Sequence, residues 1–308
     1  MKKGRFLLLV GLFAFGSLAK AQNYAFQVIV NKGANEVKSG SNWQPIKTGA
    51  TLNLSDEIKL SENASVGLVH AKGKPLEVRK PGVHKVSELA SQIGVETSVL
   101  NKYADFILSS NTPEAKKNRL AATGAVTRDI TAKVIRPLLP GNQDADIFGN
   151  QLVINWETES AGPYIVTVLD MFDETLYKAE TSEKSLAVDL TDAKFNGQDA
   201  LIIDIRSKTT GAKLAEDTRP MVKRLSPAKS EKIKTSYAEV SKELDANSAF
   251  GNLFLAGFFE QNRLIVDAIA AYERAIALAP DDPTYKEYYE EFQFRNKLKP
   301  DPAAAKNK

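Results

Sequence analysis

Between Asn252 and Asp282 the sequence reads NLFLAGFFEQNRLIVDAIAAYERAIALAPDD, with small and large residues recurring at offsets that fit two antiparallel helices. Ala256, Ala268 and Ala275 lack bulk where two helices must approach closely, while Phe259 and Tyr272 fill the volume between them. Pro280 ends the second helix, because a proline there removes an N–H and clashes with the preceding turn. The expected helices run from Phe250 to Glu260 and from Ile265 to Leu278, with Asn247-Ser248 capping the first.

Helical patterns flank this pair. From Ser230 to Leu244, Ile233, Tyr237, Val240 and Leu244 share one face. Asp281-Asp282-Pro283 starts a last helix carrying Tyr285, Tyr288, Tyr289, Phe292 and Leu298, and a polar tail follows from Pro300. Leu255, Ala256, Phe259, Ala268, Tyr272, Ala275 and Pro280 fall on the spacing of one tetratricopeptide repeat, and the segment resembles that family. The resemblance implies a protein-binding surface, which would lie on the inner face carrying Asn252, Leu255, Phe259 and Gln261. One repeat is too short to bury a continuous core, so its neighbours must supply the missing faces. The whole bundle docking on the β-sandwich that precedes it is the alternative.

At the other end, Lys2, Lys3 and Arg5 precede an apolar run from Phe6 to Phe15, and Ala19-Lys20-Ala21 is a small-x-small cleavage pattern. Residues 1–21 read as a signal peptide, too short in its apolar part to span a bilayer comfortably. The expected address is periplasmic or secreted, with no membrane span after cleavage. Cysteine is absent, which excludes disulfides, thiolate metal sites, cysteine nucleophiles and lipidated cysteine. The formal charge is +3, and losing the four cations Lys2, Lys3, Arg5 and Lys20 leaves −1. Such a balance argues against a nucleic-acid partner, which needs a concentrated basic face.

Residues 22–86 read as short strands broken by turn residues: Phe26 to Val30, Glu36-Val37, Ser65 to Val69 and Leu76 to Val78. Trp43, Pro45, Ile46, Gly49, Leu52, Asp56, Ile58, Val66, Leu68 and Gly73 resemble the motif series of FecR-type periplasmic domains. That resemblance implies a sensing or protein-interaction module. Ser55 departs from it, at a position where those domains commonly place glycine and where a positive φ would suit serine poorly. Both histidines, His70 and His84, fall here among lysines that would repel a metal cation, so a solvated strand face is the expected reading.

Residues 87–136 form a helical connector in this reading. Ser87 to Ala90 can start a helix, and Val99, Tyr103, Phe106 and Ile107 make one face of 96–109 apolar. Thr112, Pro113, Glu114 and Gly124 bound a further helix. Over 137–226, runs at Leu152–Trp156, Tyr164–Leu169, Thr175–Ala179, Leu186–Leu190, Leu201–Ile205 and Met221–Leu225 predict an immunoglobulin-like or fibronectin-like sandwich with Trp156 in its core. Asn142 to Asp146 opens like a calcium loop but fails at Gly149 and Val153, where the tight turn and the bidentate acid do not fall.

The predicted fold class is therefore multidomain α+β: signal peptide 1–21, FecR-like β domain 22–86, connector 87–136, sandwich 137–226, tetratricopeptide-like helices 227–299 and tail 300–308. No nucleophile–base pair, HExxH, GxSxG or phosphate loop is readable, and Asp170, Asp173 and Glu174 read as the acids of a hairpin turn. The expectation is a non-enzymatic envelope interaction protein without cofactor or metal. Its partner is a protein or an envelope polymer, the latter favoured by nine cations against six acids over 22–90. A sensing accessory acting through the FecR-like domain is the alternative.

Overall fold

The computed structural model describes residues 24–94, 98–110, 112, 133–215 and 218–300. The expected leader, most of the helix expected from Thr112 to Gly124, and the tail beyond Pro300 lie outside those residues. The described residues combine several largely antiparallel sheets with six α-helices, an α+β architecture.

The first eight strands are β1 (Phe26–Lys32), β2 (Glu36–Ser39), β3 (Asn42–Pro45), β4 (Thr51–Leu52), β5 (Glu57–Leu60), β6 (Ser65–His70), β7 (Pro75–Val78) and β8 (Gly82–Lys85). They form two four-stranded sheets, ordered β4-β1-β6-β7 and β3-β2-β5-β8. Phe26, Val28, Leu52, Ile58, Val66 and Leu68 meet in one core between them. Strand β1 does not alternate strictly. Its register with β6 shifts between Val28 and Val30, leaving Ile29 without a cross-strand partner and bending the strand. Ile29 and Val30 thereby join a second core on the outer side, along with Val69. At the Ser55 turn no positive φ arises, because the Asp56 carboxylate accepts the Asn53 N–H at 2.7 Å and closes an ordinary turn.

Two helices follow, α1 (Val86–Ser91) and α2 (Asn101–Ser110). Tyr103, Ala104 and Ile107 form the buried face of α2. The helix starts later than the apolar pattern over 96–109 predicts. Ser98 is held by Glu243, with its hydroxyl donating to Oε2 at 2.6 Å, and Val99 points to solvent.

The second β unit contains β9 (Val134–Pro137), β10 (Asp146–Ile147), β11 (Gln151–Glu157), β12 (Tyr164–Leu169), β13 (Thr175–Thr181), β14 (Ser185–Asp189), β15 (Ala200–Ser207), β16 (Lys213–Leu214) and β17 (Met221–Arg224). All six runs expected from the sequence are strands. Proline at 137 closes β9 rather than preceding the unit, so the unit begins by Val134. The hydrogen-bonded order is β10-β17-β15-β16-β9-β11-β14, with β12 between β13 and β15. Leu152, Ile154 and Trp156 of β11 meet Tyr164, Val166 and Val168 of β12 and Leu201, Ile203 and Ile205 of β15 in one core. Trp156 is buried there, edge-on to Tyr164 with ring centroids 5.3 Å apart.

The chain ends in α3 (Pro227–Lys242), α4 (Ala249–Gln261), α5 (Ile265–Leu278) and α6 (Pro283–Arg295). The caps are those the sequence signals: the Ser248 hydroxyl accepts the Gly251 N–H at 2.8 Å, and Asp282 accepts the Thr284 N–H at 3.0 Å with Pro283 at the first helical position. Ala256, Ala268 and Ala275 are wholly buried.

Candidate functional site

Helix α4 is the centre of the molecule. Every residue from Ala249 to Glu260 is buried, so the helix is enclosed on all sides, its polar Asn252 and Glu260 included. Of the face expected to bind a partner, Asn252, Leu255 and Phe259 are buried and Gln261 alone is exposed. Asn252 donates its amide to the Ala246 and Ser248 carbonyls, both at 2.8 Å. Phe259 stacks on Tyr237 of α3 at 5.9 Å and meets Phe148, from the second β unit, at 6.5 Å. Gln261 donates to the Lys102 carbonyl of α2 at 3.1 Å. The chain itself covers this face.

The second β unit grips α5. Asp267, in the first turn, accepts the N–H of Gly149 at 2.6 Å and of Phe148 at 2.8 Å. Arg224 stiffens the same loop, donating to the carbonyls of Gly149 and Leu190 at 3.0 and 3.1 Å. Burial raises the Asp267 carboxyl to about 6, against the two N–H donors and Arg224, which favour its charged form. Val266, one position earlier, contributes to the β unit's own core. Asn155 of β11 completes the joint, its amide donating to Glu273 at 2.7 Å and to the Tyr289 hydroxyl oxygen at 2.8 Å.

The first β unit is attached from the other side. Tyr288 of α6 donates to the Ile29 carbonyl at 3.0 Å. Phe250 lies against Gly67 of β6 so closely that a Cβ at 67 would stand 2.6 Å from the ring. Within the bundle, Arg295 forks onto the buried Glu260, Nε to Oε1 at 3.0 Å and Nη2 to Oε2 at 2.9 Å, and Asn296 adds a third donor at 2.8 Å. Burial opposes the Arg295 charge, but the bonds to Glu260 outweigh it and hold the guanidinium above its ordinary range. Desolvation also drives the hydroxyls of Tyr272, Tyr285, Tyr288 and Tyr289 well above the usual tyrosine range, so they stay neutral, Tyr288 as a donor to Ile29 and Tyr289 as an acceptor from Asn155.

These buried polar groups hold one another; none lines an open cleft with a nucleophile and base. Among the described residues there is no cluster of three or more histidine and acidic side chains placed to hold a metal. His70 packs edge-on to Phe26 at 5.2 Å, and burial, then Lys72, lowers its pKa. His84 lies on the other sheet, its Nε2 2.7 Å from the Lys80 carbonyl.

Two surface features of the second β unit were not legible as a pair. The β12–β13 hairpin ends in Met171 and Phe172, 55% and 86% exposed. Its backbone is fixed by the buried Asp170, which accepts the N–H groups of Phe172 at 2.8 Å and Glu174 at 2.9 Å. A groove of about 340 Å³ lies between β9, the following loop and the segment after α6. Apolar Ile135, Leu139, Pro220 and Leu298 line it, with Arg136, Arg219 and Lys297 among its edges. Sequence signalled the acidic turn, but not the groove, whose walls come from distant segments.

No family model matches this chain, and no curated protein matches it. Among the described residues no helix is long and apolar enough to cross a membrane.

Proposed function

We propose that this protein is a non-enzymatic interaction scaffold of the bacterial envelope, exported by residues 1–21. In this reading the first β unit is FecR-like, the second immunoglobulin-like, and the C-terminal helices tetratricopeptide-like. The observation that carries the proposal is the enclosure of α4: the helices that would form a peptide groove are consumed in joining two β units. A repeat used this way holds surfaces in fixed relation. The exposed strands and hairpins of the two β units then do the binding. The buried ionisable groups satisfy one another rather than converging on a cleft, which supports a binding role over a catalytic one.

Site-specific photo-crosslinking in envelope extracts tests this, with the photoreactive group at Val83 of β8, at Phe172, or at Gln261 beside the helical face. Adducts from Val83 or Phe172 and none from Gln261 are expected. Adducts from Gln261 alone would return binding to the helices. Cell fractionation with N-terminal sequencing checks the address; a cytosolic protein beginning at Met1 overturns it.

A further inference from the structure

We propose that Asn196 is a self-modifying site, at which the backbone nitrogen of Gly197 attacks the side-chain amide and converts the residue with time into aspartate and isoaspartate. The connection from β14 to β15 passes through a single 3-10 turn, Ala193–Phe195, and then through Asn196 and Gly197. No other asparagine in the chain is followed by glycine. Glycine matters there because it has no side chain to obstruct the approach of its nitrogen to the amide carbon. The turn also leaves both reacting groups free. Asn196 and Gly197 are exposed, and a Cβ at 197 would meet nothing within 4 Å. Neither the Asn196 side-chain amide nor the Gly197 N–H has a hydrogen-bond partner among the described residues. Asn63 and Asn247 likewise precede a small residue, but the nitrogens that follow them are engaged: Ala64 donates to the Ser61 carbonyl at 3.3 Å and Ser248 to the Asp245 carbonyl at 3.0 Å.

The backbone here is a type II turn, with Asn196 at φ −65° and ψ 133°, Gly197 at φ 75°, and the Gln198 N–H donating to the Phe195 carbonyl at 3.3 Å. Its middle peptide is the one that joins Asn196 to Gly197, and no hydrogen bond fixes the N–H of that peptide. Rotation of this peptide toward the type I form of the same turn carries the Gly197 nitrogen past the Asn196 side-chain carbon. The chemistry then needs only water. A bond forms between the Gly197 nitrogen and Asn196 Cγ, that nitrogen gives its proton to solvent, and the Cγ–Nδ2 bond breaks as ammonia leaves with a proton from water. Water adds to one carbonyl of the cyclic imide and breaks its C–N bond. Opening at Cγ gives aspartate, and opening at the main-chain carbonyl gives isoaspartate, which lengthens the backbone by one carbon. Either product adds a carboxylate beside Asp192, while Phe195 stays anchored in the core of the second β unit. The inference depends neither on the envelope address nor on the binding role.

Incubating the purified, folded protein in mildly alkaline and in mildly acidic buffer, followed by peptide mass mapping and labelling with an isoaspartate-specific methyltransferase, tests the proposal. The peptide containing residue 196 should gain about 1 Da, the exchange of NH for O, and should accept the methyl label before any other peptide does. Both signals should grow faster in the alkaline buffer, because the attacking nitrogen must lose its proton. Asn196→Gln should abolish both, since the longer side chain would have to close a larger ring, and should leave thermal unfolding unchanged because the side chain is exposed. Denatured protein incubated in parallel supplies a reference that does not depend on any variant. Residue 196 remaining asparagine in the folded protein while the denatured chain is converted overturns the proposal, because the turn would then be protecting it. So does no conversion in either sample, conversion at another asparagine first, or label that persists in Asn196→Gln.

Discussion

The Tyr288 hydroxyl donates to the carbonyl of Ile29 at 3.0 Å, joining positions 259 residues apart. Ile29 is the residue that the β1–β6 register skips, so the irregularity that turns its side chain outward also presents its backbone to the last helix. Tyr288→Phe keeps the ring and removes the donor, leaving a buried carbonyl unsatisfied. A loss of about 1–3 kcal/mol in denaturant unfolding is expected.

Asp267 makes the joint to the second β unit pH-dependent. Its folded pKa of about 6 lies above the ordinary 3.8, so between those values the folded state keeps a proton that the unfolded chain has lost. The contribution is fully present below the unfolded value and is lost as pH rises through about 6. The gap between the folded and unfolded values corresponds to about 3 kcal/mol. Unfolding free energies measured from pH 4 to 7 should fall by about that much in this group's contribution, and Asp267→Asn should flatten the slope. An equal slope in the variant would assign the pH dependence elsewhere.

Glu260 and Arg295 form a bidentate pair with side chains 6% and 18% exposed. Glu260→Ala strands a buried guanidinium and should cost about 3–5 kcal/mol, measured by chemical denaturation. Replacing both together, Glu260→Leu with Arg295→Met, should cost less than the single change, because no buried charge is then left without its partner.

Ala268 is wholly buried in α5 where the helices close on one another. Ala268→Leu forces three further carbons into that contact and should destabilise the protein by about 1–3 kcal/mol. Thermal unfolding checks it; an unchanged transition would mean the contact yields without strain.

Local order was legible because its causes are local. Ser248, Asp282 and Pro283 are read from neighbours one to three residues away, and strict alternation in Tyr164 to Val168 forces a half-buried strand whatever lies opposite. The expected binding face shows the limit. Asn252, Leu255 and Phe259 have the periodicity of a helix flank, but periodicity cannot say whether a flank meets solvent, a ligand or the protein's own strands. Nothing near Ile29 announces that β1 will skip a residue, and nothing near Asp267 names Gly149 as its partner.

By itself, the sequence determined the six longer strands of the second β unit, the C-terminal helices with the caps at Ser248 and Asp282, the small residues at close helix contacts and the absence of cysteine chemistry, all consequences of residue type and short-range spacing. Only the tertiary structure decided that α4 is enclosed, that Asp267 and Tyr288 fasten the two β units to the helices, and that the Phe172 tip stands beside an apolar groove. The Asp267 and Tyr288 contacts join segments more than a hundred residues apart, and burial, the cause of the raised Asp267 pKa and of the loss of an open helical face, exists only once distant segments have met.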